Sequence, residues 1–229
     1  SDAVARAVAR ATDTRLPDLE WAAGLAAAAD ALRRGDLAEA EAAARAALAA
    51  GTRVGHPDAA AWFTSQLLAI RRAQGRGVEA LSGVGTIAPA GAPGPGDPGL
   101  VALAWWEAGR ADAAWAWYHA AFETGFVLGR TPRVGAELVL LAELASRFVH
   151  REGAELLYDR LVTHADAFYG AASLRPPAAH SLGLLSAVLG EVDEARAWMA
   201  RALDRAERAG APLLADEIRR ASAAIGDPS

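Results

Sequence analysis

The side chains able to do chemistry in this 229-residue chain form a narrow set. Cysteine is absent, which removes disulfide frameworks, thiolate metal sites and cysteine nucleophiles together. All 23 basic residues are arginine, so a Walker-type phosphate loop, a Schiff base and a kinase lysine are excluded. Five histidines stand at His56, His119, His150, His164 and His180. His164 with Asp166, and His150 with Glu152, are the best local pairs for a metal, yet a spacing of two on a helix sends the side chains to different faces. Carboxylates such as Glu39 with Glu41, or Asp193 with Glu194, stand beside arginines at helical spacing, as in Asp193 with Arg196 and Asp204 with Arg208. That pattern reads as surface ion pairing of a few tenths of a kcal/mol each. Acid–base catalysis needs a carboxylate in a dry cleft with a shifted pKa, and no such setting is visible in the sequence. Ser65, Ser82, Ser146, Ser173, Ser181 and Ser186 lack a nucleophile elbow. The stretch GVGTIAPAG has no strand before it and no lysine, and Pro89, Pro93, Pro95 and Pro98 would disrupt a following helix. The expectation is therefore no catalytic residue, no cofactor and no metal: not an enzyme.

Recognition chemistry is better represented. Tryptophan occurs at Trp21, Trp62, Trp105, Trp106, Trp115, Trp117 and Trp198, four of them crowded between 105 and 117. Neighbours on a helix point about 100° apart, so Trp105 and Trp106 cannot face the same partner. An exposed tryptophan that fills a pocket is worth about 2 kcal/mol or more to a partner. The competing account is that large aromatics fill space among alanines, which make up roughly a quarter of the chain, far above ordinary usage. A net charge of −5 and a pI near 5.6 argue against non-specific nucleic-acid binding, which needs a basic face. The first residues contain no apolar core of signal-peptide type, and no apolar run reaches membrane-spanning length. A chain starting at Ser rather than Met reads as cut from something longer, and cytoplasmic is the expected location.

The elements that must position these residues are helical. One phrase recurs: a helical stretch, a glycine turn, and a second amphipathic helix carrying alanines. The turn glycines are Gly35, Gly75, Gly109 and Gly190, with Gly153 as a weaker member. Their intervals of roughly 34 to 44 residues match the periods of stacked helix pairs. Glycine supplies the left-handed conformation that reverses the chain, and an acidic residue soon after, as in Asp36, Asp112 or Glu191, suits the start of the next helix. Small residues follow five and twelve positions on: Ala40 and Ala47, Ala114 and Ala121, Ala195 and Ala202, with Tyr118 and Met199 between the later pairs. Helices are expected near 2–12, 17–34, 37–50, 57–74, 76–84, 98–108, 111–126, 133–149, 152–168, 176–189, 191–209 and 212–225. The Gly/Pro-rich stretch 83–99 is expected to be a surface loop between the second and third units of a single domain spanning 1–229, with a hinge between two sub-bundles as the alternative.

The phrases GEVDEA and GRADAA, with the alanine register behind them, resemble tetratricopeptide repeats. Leu182, Gly183, Gly190, Val192, Ala195, Met199 and Ala202 match one unit; Val101, Ala102, Trp105, Gly109, Ala114, Tyr118 and Ala121 match another. Residues 101–226 also resemble the C-terminal helical-repeat region of large actinobacterial regulators, the LuxR-type transcriptional regulators and cyclase-associated ATPases of the STAND class. No phosphate loop, helix-turn-helix or paired cyclase carboxylates accompany that resemblance. It implies a signal-sensing or protein-interaction segment of a bacterial transcriptional or signalling regulator.

The expected fold is all-α, a right-handed superhelix of about five helix pairs closed by a helix at 212–225. In the repeat register, the residues expected to line its concave face are Arg33, Trp62, Arg72, Trp106, Glu107, Arg147 and His180, with Leu32, Glu143 and Leu184 beside them. Such a groove suits an acidic or aromatic-containing peptide, a partner domain or a flat small inducer. A lysine–asparagine carboxylate clamp cannot operate, because both residue types are missing. No direct nucleic-acid or membrane contact is expected. The alternatives are a structural homo-oligomerisation module, such as a homodimer that plugs the groove, and, further off, an enzyme on a helical scaffold.

Overall fold

The computed structural model describes Arg6, residues 17–77, Glu79, and residues 98–126, 134–168 and 175–225. The helices expected at 2–12 and 76–84 and the loop expected at 83–99 lie largely outside the described residues. Among those described the protein is all-α, with ten α-helices and no strand. One isolated antiparallel bridge joins Phe168 and Pro177.

The described residues fall into two compact units, one up to Ala104 and one from Trp105 onward. In the first, α1 (Pro17–Arg34) and α2 (Leu37–Arg53) pack along each other, and α3 (Ala59–Ala73) packs on both. Helix α4 (Pro98–Glu107) contributes its last residues, Trp105–Glu107, to the second unit. That unit continues with α5 (Ala111–Glu123), α6 (Val134–Arg147), α7 (Arg151–Leu161), α8 (Ala178–Leu189), α9 (Val192–Arg208) and α10 (Pro212–Ala224). Helix α6 packs on α7 and also on α8, α7 packs on α8, α8 on α9, and α9 on α10. A 3-10 turn at Val162–His164 ends α7 well short of the residue 168 that periodicity suggested.

The reversals are built as the glycine pattern requires. Gly35, Gly75, Gly109 and Gly190 all have positive φ, between 71° and 88°. After each, a backbone amide reaches back over the helix end: Asp36 to the Ala31 carbonyl, Arg76 to Arg71, Arg110 to Trp105 and Glu191 to Ser186, at 2.8–2.9 Å. This six-to-one bond satisfies a carbonyl that the helix end would leave open. Asp36 adds a side-chain cap, accepting a hydrogen bond from the Glu39 amide.

Gly153 departs from this pattern. It sits inside α7, buried, and the reversal before it falls at Val149, whose φ is 50°. The His150 amide donates to the Ala145 carbonyl at 2.9 Å, the same bond made at the glycine turns. Counting from Val149 places Ala154 five residues on and Leu161 twelve on, and both are fully buried. The fourth turn therefore obeys the register once the valine, not the glycine, is taken as its left-handed residue. Gly153 serves another need: a Cβ there would be driven into the Tyr118 hydroxyl and towards His150 Nδ1.

Close approach explains the small side chains. Ala40, Ala47, Ala114, Ala195 and Ala202 are buried, while Ala121 is half-buried. A Cβ on Gly24 would come within 2.9 Å of the Ala47 Cβ, and one on Gly183 within 3.0 Å of the Met199 side chain. Tyr118 and Met199 fill the space the alanines leave, and both are buried.

Two substitutions test this account. Val149 is 72% exposed, so its side chain contributes little packing, while its backbone conformation is strained for a β-branched residue. Val149→Gly is expected to stabilise the protein by about 1 kcal/mol, read as a rise in the midpoint of thermal or chemical unfolding. Gly153→Ala is expected to lower stability by about 1–3 kcal/mol through overpacking; an unchanged midpoint would mean that Tyr118 yields freely.

Candidate functional site

Four of the seven residues expected to line a groove lie in the second unit: Trp106, Glu107, Arg147 and His180. They come from α4, α6 and α8. Trp106 is half-buried near the end of α4, and Glu107 beside it is exposed. Arg147 closes α6 and lays its guanidinium over the Trp106 ring, 4.7 Å from the ring centroid. One turn earlier on α6, Glu143 accepts a hydrogen bond from Arg147 Nη2 at 3.3 Å. The guanidinium is 41% exposed and the carboxylate 13%, so the pair stands at the surface with its acid end sheltered.

His180 lies in the first turn of α8, the helix that packs on α6. Its side chain is 5% exposed, and its Nε2 is buried with no hydrogen-bond partner. Burial pushes its pKa down to about 4; the Glu143 carboxylate opposes that shift and Arg147 reinforces it. The imidazole is therefore neutral near pH 7. Leu184, one helical turn further on the same face of α8, is half-buried. Trp106, Arg147, Glu143 and His180 thus form one neighbourhood: a π-surface with a cation stacked on it, an acid balancing the cation, and a neutral buried imidazole.

The remaining three expected residues lie in the first unit. Arg33 donates to Asp30 Oδ1 from Nε and Nη2, at 3.1 and 2.7 Å. Trp62 and Arg72 are half-buried on α3. Leu32 is buried in the core rather than lining an open face. The strongest electrostatic feature of this unit is the bidentate pair from Arg71 to Glu41, two bonds of 2.7 Å between α3 and α2. Hydrogen bonds from Arg71 and then Arg45 hold the Glu41 carboxyl down to about 2. This pair ties helices together and needs no ligand to explain it.

Two of the residues considered for metals, His150 and Asp166, are engaged elsewhere. His150 Nδ1 shares a 2.9 Å hydrogen bond with the Tyr118 hydroxyl inside a cluster of Trp115, Phe122 and Phe148. Asp166 binds Arg201 and Arg205 of α9 at 2.7 and 3.0 Å, rather than acting with His164. Among the described residues no group of three or more His, Asp or Glu could hold a metal ion, and no helix is long and apolar enough to cross a membrane. Sequence spacing could not have revealed the burial of His180, which goes with the packing of α8 on α6, α7 and α9.

No family model, curated protein or solved structure matches the chain.

The depressed pKa of His180 fixes a pH dependence. An unfolded histidine titrates near 6.5, whereas the folded one resists protonation until about pH 4. Between these values the unfolded state binds more protons, so stability is full above pH 6.5 and falls as pH drops towards 4. The loss attributable to this group is on the order of 3 kcal/mol. Urea unfolding of the wild type and His180→Leu across this range checks it: the wild type should lose more stability on acidification, and parallel curves would contradict the buried neutral imidazole.

Proposed function

We propose that this chain is a non-catalytic recognition module, the signal-sensing or protein-interaction segment of a bacterial transcriptional or signalling regulator acting in the cytoplasm. Its helix pairs stack as a right-handed tetratricopeptide-like superhelix, and the inner surface of the first helices of each pair receives a partner. Several features support this reading. One backbone hydrogen-bond pattern recurs at the left-handed turns Gly35, Gly55, Gly75, Gly109, Gly125, Val149, Gly190 and Gly210. In each unit a first helix packs on its own partner and on the next first helix, α1 on α3 and α6 on α8. Stacked pairs make that kind of neighbour-to-neighbour contact.

The observation that carries the reading is the Trp106–Arg147 stack, built from two first helices and standing beside the face of a third. A half-exposed indole covered by a guanidinium offers a flat contact surface of the kind that dominates recognition energetics. The pairing of Arg147 with Glu143 cancels the cation locally, which favours the aromatic-containing peptide over the acidic one. In an intact regulator, such binding shifts the arm only to the extent that its two arrangements differ in affinity for the partner.

Trp106→Ala compared with the wild type, each used as bait in native cytoplasm, tests this. The expected outcome is loss of a specific co-purifying partner with no change in the bait's unfolding midpoint. Equal recovery on both baits would remove Trp106 from the recognition surface.

A further inference from the structure

Helix α10 packs chiefly on α9, and its buried residues are Leu214, Ala215 and Ile218. At about 100° per residue, Leu213, Glu217, Arg220 and Ala224 fall on one line along the helix, roughly 140° round from those three. Their spacing, four, three and four residues, is that of a coiled-coil seam. Arg220 and Ala224 are exposed, while Leu213 and Glu217 are half-buried. The charges flanking this line are met within the chain: Arg219 pairs with Asp216 and with Glu207 of α9. Arg220 behaves differently. It has no ion pair among the described residues, although Asp216 stands one turn before it.

We infer that this line is a self-association surface whose occupant is a second copy of the chain, α10 lying antiparallel on α10 about a two-fold axis. A contact of that symmetry must be self-complementary, residue i meeting j while j meets i. The line satisfies this condition in both charge and size. An axis between positions 218 and 219 sets Glu217 opposite the second copy's Arg220, and Arg220 opposite the second copy's Glu217. It also sets Leu213 opposite the second copy's Ala224 at each end, large against small, so the two helices close evenly. A parallel pairing would bring glutamate to glutamate and arginine to arginine, so the charges fix direction and register. Arg220 gains the counter-ion that its own chain does not give it. Helix α10 has 13 residues, about 20 Å of contact length. A seam that short buries less than the roughly 1,200 Å² of a stable dimer, so the association is weak and concentration-dependent. The inference is independent of the recognition role proposed above.

Sedimentation equilibrium of the full chain, at concentrations rising to about 1 mM, tests this. The wild type is expected to show a reversible monomer–dimer equilibrium that weakens as salt is added. Glu217→Arg and Arg220→Glu each place like charges opposite one another at both symmetric positions. Each should weaken dimerisation about ten- to thirtyfold while the unfolding midpoint changes little. An equal mixture of the two variants should recover the wild-type constant, because the mixed dimer restores both opposite-charge pairs, and the double variant E217R/R220E should recover it too. Damage to the fold would not be reversed by mixing. A wild type that stays monomeric throughout overturns the inference, as does a dimer that neither single substitution weakens, since its contact would lie elsewhere on the chain. Failure of the mixture to recover, or a wild-type dimer indifferent to salt, overturns it as well.

Discussion

A left-handed residue closing a helix, followed by a small side chain five positions later, lets the next helix approach until little more than a methyl group separates the backbones. The rest of the molecule follows from this constraint. At Gly24 and Gly183 there is no room for even one added carbon without displacing Ala47 or Met199. Alanine cannot contribute much by area, since burying a single methyl yields only about 1 kcal/mol or less. Stability must then come from many such contacts made between neighbours, together with turn amides that meet helix-end carbonyls at nearly constant distance.

With so many alanines, a large side chain gains disproportionate leverage over geometry. Tyr118 shows this best. It is fully buried, it touches Trp115, Phe126 and Phe148, and its hydroxyl both bonds His150 and occupies the space a Cβ on Gly153 would need. Burial raises its pKa, so the phenol remains protonated and can serve as a donor to the imidazole. Arg160 adds a brace by donating to the Gly125 and Phe126 carbonyls, where the chain leaves α5 with two successive left-handed residues. The second unit thus fixes the bend after α5 with one aromatic cluster and one arginine, and leaves Trp106 outside that cluster with a different cation over its ring.

Among the described residues, most helix positions and four of the five turns were legible in the sequence because each depends on local signals: periodic apolar residues, glycine, and an acid shortly after. Val149 was illegible for the opposite reason. A β-branched residue is the last choice for positive φ, so a rule based on backbone cost passes over it and settles on Gly153, whose absent side chain is explained by Tyr118 instead. Of the expected groove residues, Arg147 and Trp106 meet where α6 and α4 end. Arg33 is turned to Asp30 within its own helix, a contact that its spacing allowed but did not require. Asp166 was read beside His164, its neighbour in sequence, whereas its partners Arg201 and Arg205 lie on another helix. Burial of Leu32 and His180 escaped the sequence because it is set by packing between helices.

The charge balance among Glu143, Arg147 and His180 has a physical origin in their unequal burial. Glu143 is sheltered and Arg147 half-open, so desolvation would be severe for the acid alone and is moderated by the cation beside it. Behind them His180 is buried enough that protonation would place a second positive charge near Arg147 without a matching acid, since Glu143 is already committed to the arginine. The imidazole therefore sheds its proton, and the three groups together carry no net charge near pH 7.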